Sequence, residues 1–416
     1  MISFNKLLLV GLLVTGSNAT NLKELIDSTI QNNQNLQSLK IKDQSYNKTY
    51  GSVKNSYNPT FNIGASYLQL DGDVRNVQVG QTSTGYAKLS IDLYNGGKNS
   101  ALKLQKEYEY KSELKNTTTT IKETILQVVT LYFQTKTVEE NLKVLHEKAV
   151  ALKAQYDRIK TKYDLKMTTI DEVLKFQSEY ESNNYLIEEL KYQKEELIQN
   201  LSFLSNSKVI NLDNFKLPEV SNLIYKESSS IDSLKYSIKA QQENKNIVKS
   251  SQKPQIKVEN SYNFYNYDDY NSNLLTDLPD HQNQLILSIN FKLFDTTTSD
   301  KVEAAQLVKQ ATQQKLEYLK VQEQMKFDLA KKRLNTLNLK INSLKSAVKM
   351  ANSVYDMVKI KYENSVVDNI TYLDALSKKI YNTSLYKQAL NDYEIAKANY
   401  YFDSGIDYKE VLDNWK

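Results

Sequence analysis

The phrase "YDRIKTKYDLKMTTIDEVL", residues 156–174, returns near the end of the chain as "YDMVKIKYENSVVDNITYL", residues 355–373. The opening tyrosines, Tyr156 and Tyr355, lie 199 residues apart in a chain of 416. A repeat of that length is half an architecture rather than one unit of a solenoid. Upstream of the first copy, apolar residues recur at Val138, Leu142, Leu145, Ala149, Leu152, Tyr156, Ile159 and Tyr163, in alternating steps of 4 and 3. Upstream of the second, Phe327, Ala330, Leu334, Leu337, Ile341, Leu344, Val348, Ala351, Tyr355, Val358 and Tyr362 keep the same alternation. This is a coiled-coil seam held in phase across both halves. Ile121, Ile125, Val128 and Tyr132 follow the same rule before a slip near Thr135, where the winding of a supercoil changes. A helix from about residue 100 to Asp164 is roughly 95 Å long at 1.5 Å per residue. The chain then reverses and returns from Ile170 toward Leu204, and in the second half from Ile370 toward Tyr401. Asp171 or Thr169, and Asp368 or Asn369, are placed to cap the returning helices.

Composition agrees with long elements. Only 10 glycines and 4 prolines occur, well below the usual shares of about 7% and 5%. Cysteine is absent, which excludes disulfides, thiol catalysis and a lipid-bearing cysteine. The formal net charge of +5 is dispersed along the chain, with no basic patch pointing to nucleic acid. At the start, "MISFNKLLLVGLLVTGSNA" combines Lys6, an apolar run from Leu7 to Val14, and small residues at Ser17 and Ala19. That is the pattern of a signal peptide, residues 1–19, cut after Ala19; the plainer alternative is a buried N-terminal strand. Beyond it no stretch reaches the roughly 18 to 20 apolar residues of a spanning helix. Any crossing of a membrane must therefore use a closed barrel, because unpaired strand edges cannot face lipid.

The prolines mark where strands begin. Pro59 and Pro254, 195 residues apart, each follow a polar helical stretch and precede an alternating one. Pro218 sits in "NLDNFKLPEVSNL", the expected linker between halves, and Pro279 in a loop. After Pro59, Phe61, Ile63, Ala65 and Tyr67 share one face; on the return, Ala87, Leu89, Ile91 and Leu93 alternate with Lys88, Ser90 and Asp92. After Pro254, Ile256, Val258, Tyr262 and Phe264 share a face, and Leu285, Leu287, Ile289, Phe291 and Leu293 oppose Gln284, Ser288, Asn290 and Lys292. Runs of about ten residues suit a tilted spanning strand. Tyr265, Tyr267 and Tyr270 belong to an aromatic loop suited to a membrane interface. The alternative is a soluble sheet packed on helices. Four strands close no membrane barrel alone, since the smallest have about eight. Two, three or four identical chains in cyclic symmetry would supply eight, twelve or sixteen.

Catalysis has little support. His146 lies in a helical stretch and His281 in a loop, with no metal spacing or triad logic between them. No glycine-rich phosphate loop occurs, and the pairs Glu188–Glu189 and Asp268–Asp269 are ordinary solvated carboxylates. The expectation is a non-enzyme without cofactor or metal.

Duplicated halves, one hairpin per half and long reversing helices resemble the TolC-like outer-membrane efflux and secretion channels (outer membrane efflux proteins). "LKELIDSTIQNNQNLQSLK" is similar to the family's first helix. "LSIDLYNGGK" resembles its strand-to-helix junction, with "LSINFKLFDTTTS" as the counterpart, and the two quoted phrases resemble its tips. The resemblance implies a mainly α chain with a small β part: duplicated coiled-coil helices, and four strands contributing to a trimeric twelve-stranded transmembrane β-barrel. It divides the chain into a first repeat, 20–217 (strand hairpin 60–94, helical hairpin 97–205), a second, 218–405 (strand hairpin 254–294, helical hairpin 298–402), and a tail, 406–416. It further implies a homotrimer in outer-membrane lipid that extends into the periplasm. There a periplasmic adaptor (membrane fusion protein) would connect it to an inner-membrane transporter, in an efflux pump or a type I secretion system.

By the same resemblance, Asp374 and Asp368 stand at the pore aperture, the second ring position being Thr371. Tyr362 with Glu172, beside Asp171, forms a tip latch whose basic member is replaced by Val367. Leu165, Lys166, Met167, Asn364, Ser365 and Val366 form the adaptor-docking tips. The family commonly has glycine at each reversal; here Lys166 and Ser365 stand there, and Thr296–Thr298 replace the second glycine pair. Two other functions compete with an exit duct: a periplasmic coiled-coil adaptor or scaffold without a pore, and a surface adhesin stalk. An adaptor should carry a compact glycine-rich lipoyl-like domain and a stalk a single terminal barrel module, and neither is legible here.

Overall fold

Scarce glycine and proline are expressed as two uninterrupted helices of 67 and 68 residues, α3 and α6. The computed structural model describes residues 20–55, 58–72, 76–220 and 222–415, and the expected signal peptide lies outside the described residues. The elements are α1 (Leu22–Asn32), α2 (Gln34–Lys54), β1 (Thr60–Gln69), β2 (Gln81–Asn95), α3 (Lys98–Asp164), α4 (Ile170–Ser205) and α5 (Ser229–Ser250). They continue with β3 (Gln255–Asp268), β4 (His281–Asn290), α6 (Thr296–Glu363), α7 (Asn369–Asp403) and α8 (Tyr408–Asn414). Contacts gather these into two compact units, each drawn from both halves of the sequence. Leu39–Thr119 and Glu227–Gln322 make one; the segment ending at Ser38, Thr120–Lys226 and Glu323–Lys416 make the other.

The first unit holds one antiparallel sheet in the order β1-β2-β3-β4. Its hairpins are joined within the chain through β2 and β3, and β1 and β4 are left as open edges. Register explains the alternation. Phe61 pairs with Leu89, and Leu89 with Asn260, which faces Leu285; Ile91, Val258 and Leu287 form a parallel row on the same face. That face is bare: Ile63 is 79% exposed and Leu285 72%. The opposite face is polar, with the Glu259 carboxylate between Lys88 Nζ at 2.7 Å and Lys257 Nζ at 2.8 Å, and receiving a hydrogen bond from Ser90 Oγ at 3.2 Å. A register shift between Asp92 and Tyr94 makes Leu93 the extra residue of a bulge rather than a continuation of the alternation. Two expectations are corrected. Phe291 and Leu293 lie beyond the end of β4, and Tyr265 and Tyr267 belong to β3, where they stack at 5.7 Å, instead of to a loop.

Both strand-to-helix junctions solve the same problem with different residues. At the first, Gly96 (φ 69°) and Gly97 (φ 87°) take left-handed backbone, and a Cβ on Gly96 would stand 2.4 Å from the Ser250 carbonyl oxygen. At the second, Asp295 accepts hydrogen bonds from Thr297 N at 3.0 Å and from the Thr297 and Thr298 hydroxyls at 2.8 and 2.7 Å. Those bonds hold its carboxyl far below the usual carboxylate range, so Asp295 caps the start of α6 through the threonines that replace the family's second glycine pair.

In the second unit α3 buries a wide face: Ile125, Val128, Val129 and Tyr132 have no exposure and Phe133 has 1%, while Glu123, Gln127 and Gln134 stay exposed. At the slip Thr135 takes a buried place on that face, and its hydroxyl bonds back to the Leu131 carbonyl at 2.8 Å. The linker is not a loose surface loop. Leu212 and Leu217 are buried, and the Tyr132 hydroxyl donates to the Asp213 carbonyl. Lys397, 1% exposed, donates to the Leu217 carbonyl at 2.7 Å and pairs with Glu394 at 3.0 Å, while Glu394 accepts from Leu217 N at 2.7 Å. Burial raises the Glu394 carboxyl against the pull of Lys397. Farther along, α6 shields its expected seam, Leu334 through Tyr362, while α3 adds Val144 and Gln155 to the positions counted.

Each long helix ends in a Schellman turn. Lys166 N bonds to Tyr163 O at 2.8 Å and Met167 N to Lys162 O at 2.8 Å; Ser365 N bonds to Tyr362 O at 3.0 Å and Val366 N to Lys361 O at 2.8 Å. Lys166 (φ 58°) and Ser365 (φ 57°) hold the left-handed position that glycine favours, so the departure from glycine retains the turn at a conformational cost.

Lys397→Ala should destabilise the protein by about 3–5 kcal/mol, because Glu394 is then left buried and unpaired; denaturant unfolding in detergent checks this. Lys166→Gly and Ser365→Gly should each stabilise by about 1 kcal/mol by relieving left-handed strain, read by the same unfolding.

Candidate functional site

The ends of four helices build the tip around an aromatic core. Leu152 and Ile159 come from α3, Val173 and Phe176 from α4, Tyr355 and Tyr362 from α6, and Tyr372 and Leu376 from α7. Tyr362 stacks on Tyr372 with centroids 4.9 Å apart, and Phe176 lies 6.3 Å from Tyr362. The Tyr355 and Tyr372 hydroxyls are 3.2 Å apart. Burial, then the bond to Tyr355, pushes the Tyr372 phenol far up. Tyr372 escaped the sequence reading, although it lies three residues after the buried Asn369 and so on the same face of α7.

Tyr362 is held mainly by packing. Its hydroxyl is buried with no hydrogen-bond partner among the described residues. Burial, and secondarily the Glu172 charge, pushes its phenol up to about 12. The Arg158 guanidinium lies 5.7 Å from the ring centroid and donates to the Glu363 carbonyl at 2.7 Å, fixing α3 to the end of α6. Within one chain Glu172 does not bond Tyr362; its carboxylate accepts from Thr168 Oγ1 at 2.7 Å. Asp171 is exposed in the first turn of α4, where a negative charge suits the helix dipole.

Asp368 is the N-cap of α7, accepting from Thr371 N at 2.8 Å and Thr371 Oγ1 at 2.6 Å. These bonds lower its carboxyl below the ordinary value. Thr371, which stands where a second ring carboxylate was expected, thus holds Asp368 in place. Asp374 is exposed and paired with Lys378 Nζ at 2.6 Å. The α4 cap is Thr169, without a side-chain bond. At the turns Leu165, Met167 and Val366 are 66–70% exposed, with Lys166, Asn364 and Ser365 exposed beside them. The tip therefore joins a rigid aromatic core to a bare rim.

No helix among the described residues is long and apolar enough to cross a membrane. No curated protein sequence matches the chain. Residues 25–207 match the family model described as Outer membrane efflux protein. Solved structures share the fold over nearly the whole chain. CusC aligns with a TM-score of 0.82 at 14% identity, covering 92% of both chains. The CmeC outer membrane channel of Campylobacter jejuni aligns at 0.81 and 18% identity, covering 95% of this chain and 90% of that one. The outer membrane protein VceC of Vibrio cholerae aligns at 0.81 and 12% identity, covering 92% and 96%. Residues 25–207 are thus similar to the outer membrane efflux protein family, and the chain as a whole shares the fold of these solved outer-membrane channels.

Proposed function

We propose that the protein is the outer-membrane exit duct of an efflux or secretion assembly, a homotrimer whose barrel stands in the outer membrane and whose helices extend into the periplasm. The observation that carries this reading is the four-stranded sheet: apolar and bare on one face, charged on the other, and open at both edges. Exposed apolar area of this extent is costly in water and favourable in lipid. The edges are tolerable there only if other copies complete the ladder. Twelve strands then surround a wall lined by Lys88, Lys257 and Glu259. A soluble adaptor or scaffold accounts for the long helices but leaves the bare face without a medium.

The tip regulates entry. Three copies of Asp374 converging on the symmetry axis favour cations and repel anions. Lys378 tempers that charge, since an exposed pair of this kind is weak and exchanges readily. Asp368 holds the start of α7 through its cap bonds and contributes charge from its free oxygen. Tyr362 closes the tip by stacking, with Glu172 and Asp171 supplying negative charge nearby. The bare rim, Leu165 to Met167 and Asn364 to Val366, docks a periplasmic adaptor that connects to an inner-membrane transporter. Energy is spent at that transporter, and the duct is passive.

In planar bilayers Asp374→Asn should lower the cation over anion permeability ratio and Lys378→Met should raise it; unchanged ratios in both would remove Asp374 from the aperture. Tyr362→Phe should leave resting conductance unchanged and stability equal or higher, because a buried unpaired hydroxyl costs about 1–3 kcal/mol. A raised resting conductance would mean that the hydroxyl itself is a latch.

A further inference from the structure

Helix α1, the linker and the C-terminal residues enclose a cavity of about 500 Å³, within the range of about 300–1,000 Å³ that holds a drug-sized molecule. Leu22, Ile26 and Ile30 line it from α1, Phe215 from the linker, and Leu412 and Trp415 from α8 and its cap. The three α1 residues recur in steps of 4, which puts them on one face of that helix. Every lining residue belongs to the same compact unit of a single chain, so the cavity exists whether or not the protein is an exit duct.

Trp415 gives the cavity its chemistry. It is 6% exposed, and its ring stands edge-on to Tyr401 at 6.1 Å and to Phe402 at 6.0 Å, so the end of α7 holds it in place as a wall. Indole has one polar group, a donor. Here Nε1 is buried with no hydrogen-bond partner among the described residues. Folded interiors leave few such donors unmet, because desolvation without a partner is unfavourable. Water is a poor remedy, since it requires about two to four polar partners and this lining is predominantly aliphatic and aromatic. A ligand with an apolar body and one acceptor meets both conditions at once.

The rim limits the ligand's charge. Helix α1 contributes Lys23 and Asp27 to it and α8 contributes Lys409 and Asp413, all exposed. Two positive and two negative groups balance, so neither an anion nor a cation is drawn in. We infer that this cavity is a binding site for a neutral, apolar molecule of drug size that carries a carbonyl acceptor, and that the carbonyl takes the Trp415 N–H. Such a molecule touches α1, the linker and α8 together, and so fastens α8 onto α1.

Trp415 is the one tryptophan of the sequence, so its fluorescence reports on this site alone. The probe is prodan, a neutral naphthyl ketone that absorbs where tryptophan emits. With the full-length protein in amphipol, prodan should quench Trp415 saturably, and equilibrium dialysis corrected for amphipol alone should count one prodan per chain. Trp415→Phe keeps a ring against Tyr401 and Phe402 but lacks the N–H, and should weaken prodan binding about tenfold by dialysis, the worth of one hydrogen bond. Ile30→Trp fills the cavity and should abolish the site. Anilinonaphthalene sulfonate, an anion of similar size, should fail to displace prodan. The inference is overturned if Trp415 shows no saturable quenching, if the sulfonate displaces prodan at equal concentration, or if either variant binds prodan as tightly as the unaltered protein. Circular dichroism establishes that each variant is folded; if Ile30→Trp is not, Trp415→Phe alone decides.

Discussion

The rest of the structure depends on one constraint: backbone groups in lipid must find partners, and a sheet of four strands leaves two rows of them unpaired. The chain cannot resolve this alone. Its β2–β3 pairing joins both hairpins into one continuous ribbon, so each copy presents a single stave with β1 on one side and β4 on the other. The bulge at Leu93 and the left-handed turn at Gly96 then lead the stave into α3. Barrel closure and helix emergence are thus one requirement met by neighbouring residues.

The helical part obeys a second economy. Long helices need lateral support at every turn, and the seam on α6 supplies one side of it. At the tip the support becomes aromatic, with Phe176, Tyr355, Tyr362 and Tyr372 locking four helix ends. Near the C-terminal end of α7 the linker is anchored by the buried pair of Lys397 and Glu394. The same chain is therefore packed along its helices and bare at the tip turns and on the apolar face of its sheet.

Much of the fold was legible because periodicity reports solvent exposure. The 4–3 alternation on α6 is a direct consequence of one-sided burial, and the alternation in β1, β2 and β4 of a sheet with one apolar and one polar face. Reading failed where the buried face is wider than a seam or is interrupted. Helix α3 near Tyr132 buries neighbouring positions together, Val128 with Val129 and Tyr132 with Phe133, and Leu93 breaks alternation because a bulge depends on the partner strand. Tip chemistry was less legible still. Tyr362 looks the same in sequence whether it stacks or hydrogen-bonds, and only the surrounding rings decide for stacking. Asp368 was legible as a cap of α7, but its bonds from Thr371 were not, because the two residues had been assigned separate places around an aperture. The glycine positions taught the reverse lesson: Lys166 and Ser365 adopt the left-handed turn although neither prefers it, since the helices on both sides dictate the geometry.

The central claim is that several copies complete one barrel. Native mass spectrometry of the protein released from outer membranes in detergent measures this directly. The account predicts a particle of three chains, and a folded particle of one chain, with its sheet retained, would contradict it.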